Sequence, residues 1–346
     1  MVARRGVLVL TIGLAAAQVP AGTSVARECA WPMTPLPVPA DAKHSSVASA
    51  ASGGWFVGSV TTSGTRQVRW HNGEMEVLGR ALGQQTFLDD INASGVAVGH
   101  TVAHGALDDP IVYRDGAYAR LPIPAGMRRV RPWAINNAGD IVGSGYPHPV
   151  ADYVSVVLWP ATNPDTPLVI NPDPARYDYA SPVDIDEQGR ILIATDDKTD
   201  GDRPGGGVWH PDGTFREIPP LTPDGWYWFD GFRNGRIVGT ASQRTAPRRA
   251  GVELDLNGRL VHQFGERVAH LRVDSGTTTV GSYVDPAKDY NLGIWDDGVL
   301  THTLVTTDDY NHLPHNTVLT DDGVLAATLD SSHLGSTRAV TYRRTC

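Results

Sequence analysis

Apolar residues in this chain come in short blocks of strand length, and the blocks recur in one order. An apolar strand leads into a tight turn ending in Gly, followed by a β-branched pair with Gly or Ala, a polar loop, and an apolar strand closed by Trp or Tyr. The clearest unit spans residues 131–170. Ala134-Ile135 enters the turn Asn136-Asn137-Ala138-Gly139 (strand A), Asp140 to Ser144 forms strand B, Val156 to Trp159 strand C, and Pro167 to Ile170 strand D. Asn and Gly suit a turn that needs positive φ, and β-branched residues suit a pleated surface. The blocks are apolar on both sides rather than alternating, as expected of small sheets packed face to face between two others.

The turn glycines Gly54, Gly95, Gly139, Gly189, Gly235, Gly276 and Gly323 lie 41 to 50 residues apart, a period that predicts propeller blades. Strand C closes on Trp70, Tyr113, Trp159, Trp209, Trp295 and Tyr342, with Val252-Glu253-Leu254 as the weak match in blade five. With 37 Gly and 25 Pro punctuating the chain, no helix is required. Gly143 is read as admitting a neighbouring blade. Blade seven lacks a strand D, and the N-terminus supplies one: Pro35 to Ala40 copies Arg120 to Ala125, and Leu36 precedes Gly54 by 18 residues as Leu121 precedes Gly139. The expected fold is all-β, a seven-bladed β-propeller closed by an N-terminal outer strand in the last blade.

Residues 1–26 read as an export signal, with Arg4-Arg5, an apolar Gly6 to Ala17, and a small-residue cleavage site at Ser24-Val25-Ala26. Residues 27–346 then form a single propeller domain, secreted and extracellular. The apolar run is too short to span a bilayer, so no membrane anchor is expected. The formal charge is -9, or -11 without Arg4 and Arg5, which argues against nucleic acid and acidic membranes as partners. A monomer is expected. The two cysteines, Cys29 and Cys346, stand at the ends of the closing strands, where a disulfide is the simplest reading for an exported protein.

The phrase Ala134 to Gly143 followed by an apolar strand to Trp159, and the second copy Ile91 to Gly99, resemble the bacterial extracellular HAF repeats. The resemblance covers the chain from about Met33 to its end, although the His-Ala-Phe tripeptide itself is absent. It implies a secreted β-propeller and carries no agreed activity, so it assigns no catalytic residues.

In a propeller the D-to-A and B-to-C connections converge on one end of the axial channel, where ligands bind. Seven of the twelve histidines are assigned there, at positions 44, 104, 148, 270, 312, 315 and 333. The loop Asp308-Asp309-Tyr310-Asn311-His312-Leu313-Pro314-His315 offers two imidazoles, two carboxylates and a phenol, a set fit for proton transfer. It is the expected catalytic or metal site, against the alternative of a hydrated turn whose polar groups bond their own backbone. Asp289 and Tyr290 neighbour it. Tyr177, Tyr179, Trp226 and Trp228, assigned to loops, would stack on a sugar or planar ligand, with His44, Arg131 and His270 beside them. Half or more of those rings are explained equally well by core packing. Asp196 to Asp202 suggests a calcium loop that Lys198 interrupts. The cofactor is unknown, a divalent cation being possible. The first reading is a binding module for a glycan, small molecule or protein partner. The alternative is a lyase, hydrolase or isomerase using funnel histidines, and the residues leave catalysis open.

Overall fold

The computed structural model describes residues 29–102, 109–147, 154–200, 203–243, 249–285, 288–304, 311–331 and 335–345, with backbone alone at 284–285, 288–290 and 311–316. Strand β1 (Met33–Pro35) precedes blade one: β2 (His44–Ala51), β3 (Trp55–Thr61), β4 (Thr65–His71) and β5 (Glu74–Val77). Blade two is β6 (Gln85–Ile91), β7 (Ala97–Val102), β8 (Asp109–Arg114) and β9 (Ala117–Arg120). Blade three is β10 (Met127–Ile135), β11 (Ile141–Pro147), β12 (Ser155–Trp159) and β13 (Leu168–Ile170). Blade four follows as β14 (Tyr177–Ile185), β15 (Ile191–Asp197), β16 (Arg203–Trp209) and β17 (Phe215–Glu217). Blade five is β18 (Gly225–Arg233), β19 (Arg236–Gln243), β20 (Ala250–Leu254) and β21 (Leu260–Glu266). Blade six is β22 (Val268–Val273), β23 (Thr278–Asp285), β24 (Lys288–Asp296) and β25 (Val299–Leu304). Blade seven comprises β26 (Asn311–Leu319), β27 (Val324–Ser331) and β28 (Ser336–Arg343), completed by β1. Among the described residues the only helical pieces are 3₁₀ turns at Ala81–Gly83 and Lys198–Asp200. None is long enough to cross a membrane.

The seven four-stranded sheets confirm the seven-bladed propeller. Apolar packing lies between blades. Ala134, Val142, Val156 and Leu158 of blade three meet Ile185, Ile191 and Ile193 of blade four, for example. A sheet buried on both faces needs apolar residues on both, which is why the blocks do not alternate.

Closure occurs at the expected place. β1 pairs antiparallel with β28, Pro35 opposite Val340, and Leu36 N–H donates to Ala339 O at 3.0 Å. Leu121 does the same to Pro110 O at 2.9 Å. The paired residues lie slightly upstream of the expected strands: β9 ends at Arg120, so the shared Leu-Pro step is the exit from strand D rather than its body. That exit is tied to the next blade. Trp70 Nε1 donates to Pro37 O at 2.7 Å, and Trp159 Nε1 to Pro122 O at 2.8 Å, so the seam between blades seven and one repeats the joint between blades two and three.

Each innermost strand of blades one to five has a register shift at the same depth, around Ala48, Asp89, Trp133, Val183 and Asp230. Such a bulge re-aims a side chain, here at the channel. The strand-B glycines face these bulges. A Cβ on Gly143 would lie 2.3 Å from Arg131 O, and one on Gly99 2.0 Å from Phe87 O. The contact lies within one sheet, which corrects the reading that Gly143 admits a neighbouring blade. Gly99→Ala is expected to destabilise by about 1–3 kcal/mol through backbone overpacking. A lowered urea midpoint with an unchanged slope would show it. Six of the seven turn glycines have φ between +72° and +93°, and Gly276 is the exception.

Candidate functional site

The lower half of the axial channel, toward the A-to-B turns, encloses a cavity of about 180 Å³ lined by inner strands of all seven blades. Polar residues on these strands bind the next blade. Asp90 accepts from Ser49 Oγ and from Ile135 N at 2.8 Å, and Asp184 accepts from Phe232 N at 3.4 Å. Burial pushes Asp90 up to about 7, with its hydrogen bonds opposing and the charge of Asp184 adding. Burial also raises Asp184, against the pull of Arg233. Arg233 is itself opposed by burial, but Asp184 and Asp321, the latter at 3.2 Å, hold it charged. Every one of these carboxylates already serves a neighbouring backbone or guanidinium. Their arrangement accounts for the joining of the ring.

At the opposite end, where D-to-A and B-to-C connections lie, a cavity of about 520 Å³ opens between blades one, two and three. Its centre is Asp89, the bulge residue of β6. His100 Nδ1 lies 2.8 Å from one Asp89 oxygen, and Arg131 Nη2 donates to the other at 2.8 Å. In the neutral ring this assigns the proton to Nδ1 and leaves Nε2 as the lone-pair nitrogen. The Phe87 ring stacks on His100, centroids 5.2 Å apart. The Arg131 guanidinium lies 4.2 Å from the Trp133 ring centre, and Trp133 Nε1 donates to Ser144 Oγ at 2.8 Å. Ser144 in turn meets Ser181 Oγ at 2.7 Å on blade four. The side chains of His100 and Asp89 are 6% and 13% exposed, so this polar set is desolvated and fixed before a ligand arrives.

Of the nominated residues, Arg131 is in this cavity. His44 opens β2 opposite Thr61, half-buried. Tyr177, Tyr179, Trp226, Trp228 and His270 lie in the inner strands β14, β18 and β22 rather than in loops. Those strands start earlier than their apolar blocks because their upper halves mix buried and exposed residues and carry aromatic and polar side chains. Tyr177 is buried against Phe215 and serves packing. Trp228 is 37% exposed beneath the Arg249 guanidinium, 4.4 Å away, at the blade-five position matching Arg131. His270 adopts φ 53°. Asp308, Asp309 and Tyr310 lie outside the described residues. His312 and His315 fall in β26, and Asp289 and Tyr290 in β24, with their side chains outside the described set. In the supposed calcium loop, Asp197 is taken by Arg176 at 2.6 Å and by Thr199. No group of three or more metal-ligating side chains occurs among the described residues.

Asp89, His100 and Trp133 escaped the sequence reading. A signal existed. The residue after the strand-B glycine is Ser59, Ser144, Thr240 or Ser282 in four other blades, and His100 alone breaks that run of small hydroxyls.

No family model and no curated protein matches the sequence. Solved structures do. A streptogramin B lyase superposes with a TM-score of 0.53 at 11% identity over 91% of this chain and 98% of its own. An uncharacterized protein from Listeria monocytogenes EGD-e gives 0.52 at 11%, over 85% and 94%. A prolyl endopeptidase gives 0.58 at 13% over 88% of this chain, which spans only 50% of that enzyme's length. At these identities the likeness is one of fold, and together with the seven ringed sheets it establishes a seven-bladed β-propeller.

Proposed function

We propose that this chain is a secreted, monomeric propeller of HAF-repeat type that binds a small polar molecule or glycan in the cleft between blades one and three. The observation carrying this is the Asp89 carboxylate held between the His100 imidazole and the Arg131 guanidinium, with Phe87 on the wall of a cavity of about 520 Å³ and Trp133 against Arg131. Few directed polar groups on aromatic walls are what small-ligand sites use. Secretion rests on the signal-like residues 1–26, and a Cys29–Cys346 disulfide on the pairing beside it: Ala30 and Thr345 exchange both backbone hydrogen bonds, at 2.8 and 2.9 Å. Cys346 itself lies outside the described residues.

A thermal-shift screen of sugars and small anions tests the reading, since a ligand of the folded state raises the melting temperature. Arg131→Ala is expected to weaken a hit at least tenfold, about 1.4 kcal/mol. A hit unaffected by both Arg131→Ala and His100→Ala places the site elsewhere.

The His100–Asp89 hydrogen bond favours one second reading, a lyase or hydrolase in which Asp89 orients His100 and Nε2 exchanges a proton with substrate. Turnover of the screened hit that is lost in His100→Gln, with binding retained, separates catalysis from binding.

A further inference from the structure

Beside the Asp89 cavity lies a second, of about 980 Å³, between the β3–β4 hairpin of blade one and the connection into blade two. The two share Gln67, Phe87 and Val102 as walls. Together they run from the channel mouth out to the rim. The titratable residues of the outer cavity are Arg66 and Arg80, both exposed, and neither has an ionic or hydrogen-bonding partner among the described residues. In the inner cavity Asp89 is the one carboxylate, shared between His100 and Arg131, with Arg129 also on the wall. A chain of formal charge -9 thus places Arg66 and Arg80 along the same cleft as the Asp89-paired Arg131.

The remaining walls combine apolar residues, Leu78, Leu88 and Val102 among them, with amides and hydroxyls. Gln67 Oε1 is occupied by Leu88 N–H at 3.1 Å and Gln84 Oε1 by the Thr101 hydroxyl at 2.7 Å. Each amide is thereby fixed with its NH₂ as the remaining donor. Ser63 and Thr65 add hydroxyls. Amide and hydroxyl donors, spaced arginines and the Phe87 ring match a chain of rings bearing hydroxyls and periodic carboxylates.

We propose that the ligand is an extended acidic oligosaccharide, its first carboxylate held by Arg131 and its later ones by Arg66 and Arg80. This rests on the binding site proposed above. Arginine pairs with carboxylates through two parallel hydrogen bonds, and exposed ones act mainly through salt-sensitive attraction.

The test titrates residues 27–346 with hexuronic acid oligomers of two and six sugars and with their carboxyl-reduced counterparts. The hexamer is expected to bind at least tenfold tighter than its reduced form, and less tightly in high salt. Arg66→Ala with Arg80→Ala should cost the hexamer about tenfold and leave the dimer unchanged, while Arg131→Ala weakens both. Equal binding of acidic and reduced hexamers, no binding at millimolar concentration, or tighter binding of a hexaglutamate peptide overturns the acidic-carbohydrate assignment. A double variant that binds the hexamer as the parent does removes the outer cavity from the account. Acidic binding indifferent to Arg131→Ala and His100→Ala overturns the site itself.

Discussion

Removing residues 27–37 is expected to abolish cooperative folding. The deletion takes away the β1 ladder on β28, the Leu36 side chain, and the Pro37 carbonyl that receives Trp70 Nε1. Leu36 is 9% exposed within the cluster joining blades seven and one, and its burial alone contributes about 2 kcal/mol. The deletion also removes Cys29. The proposed crosslink from Cys29 to Cys346 would close a loop of 317 residues, worth up to about 5 kcal/mol on the chain-entropy model. Against a total stability of about 5–15 kcal/mol, the combined loss opens the ring. Cys346→Ser, which keeps the strand, should leave a folded protein with a markedly lower urea midpoint. A deletion variant that unfolds like the parent would show that β1 is dispensable to closure.

Asp90→Asn is expected to stabilise the protein at pH 8 and to match it near pH 4. The Asp90 carboxyl, pushed up to about 7 by burial, keeps its proton in the folded state while the unfolded chain releases it at the ordinary carboxylate value of about 3.9. Stability therefore falls as pH rises from about 4 to about 7 and levels off above, by up to about 4 kcal/mol from this one group. Burial shifts Asp184 in the same direction and deepens the fall. Asparagine has no charge to bury, its oxygen can accept from Ile135 N–H, and its NH₂ can donate to Ser49 Oγ. Urea unfolding of parent and variant at pH 4, 6 and 8 reads the gap. A gap that fails to widen with pH would mean that the axial cavity solvates Asp90 well enough to ionise it freely.

The blades were legible because their signals are local: a turn glycine, a β-branched pair and a closing aromatic repeat in each. Closure was legible because Leu36-Pro37 copies Leu121-Pro122 at matched spacing. The upper halves of the inner strands were not, since Trp226 to Phe229 and Tyr177 to Tyr179 sit among polar and turn-forming residues, and only the ring separates those buried between blades, such as Tyr177 and Tyr227, from exposed ones such as Tyr179 and Trp228. The site was hidden for a related reason. Asp89 is a bulge residue, and its partners lie 11 and 42 positions away, brought together by register and blade adjacency. Arg131 was expected beside the aromatic ligand residues, but its cation–π partner and its acid could be identified only in three dimensions.

Recognition at the proposed Asp89–His100–Arg131 cleft is decided by one array experiment. Parent, Arg131→Ala and Trp228→Ala proteins are applied in parallel to immobilised glycans and small anions. Hits are expected that Arg131→Ala loses and Trp228→Ala keeps, because Trp228 lies on blade five, across the channel mouth from the cleft. Hits that survive Arg131→Ala and vanish with Trp228→Ala would contradict recognition at the cleft and move the site to the aromatic residues of blade five.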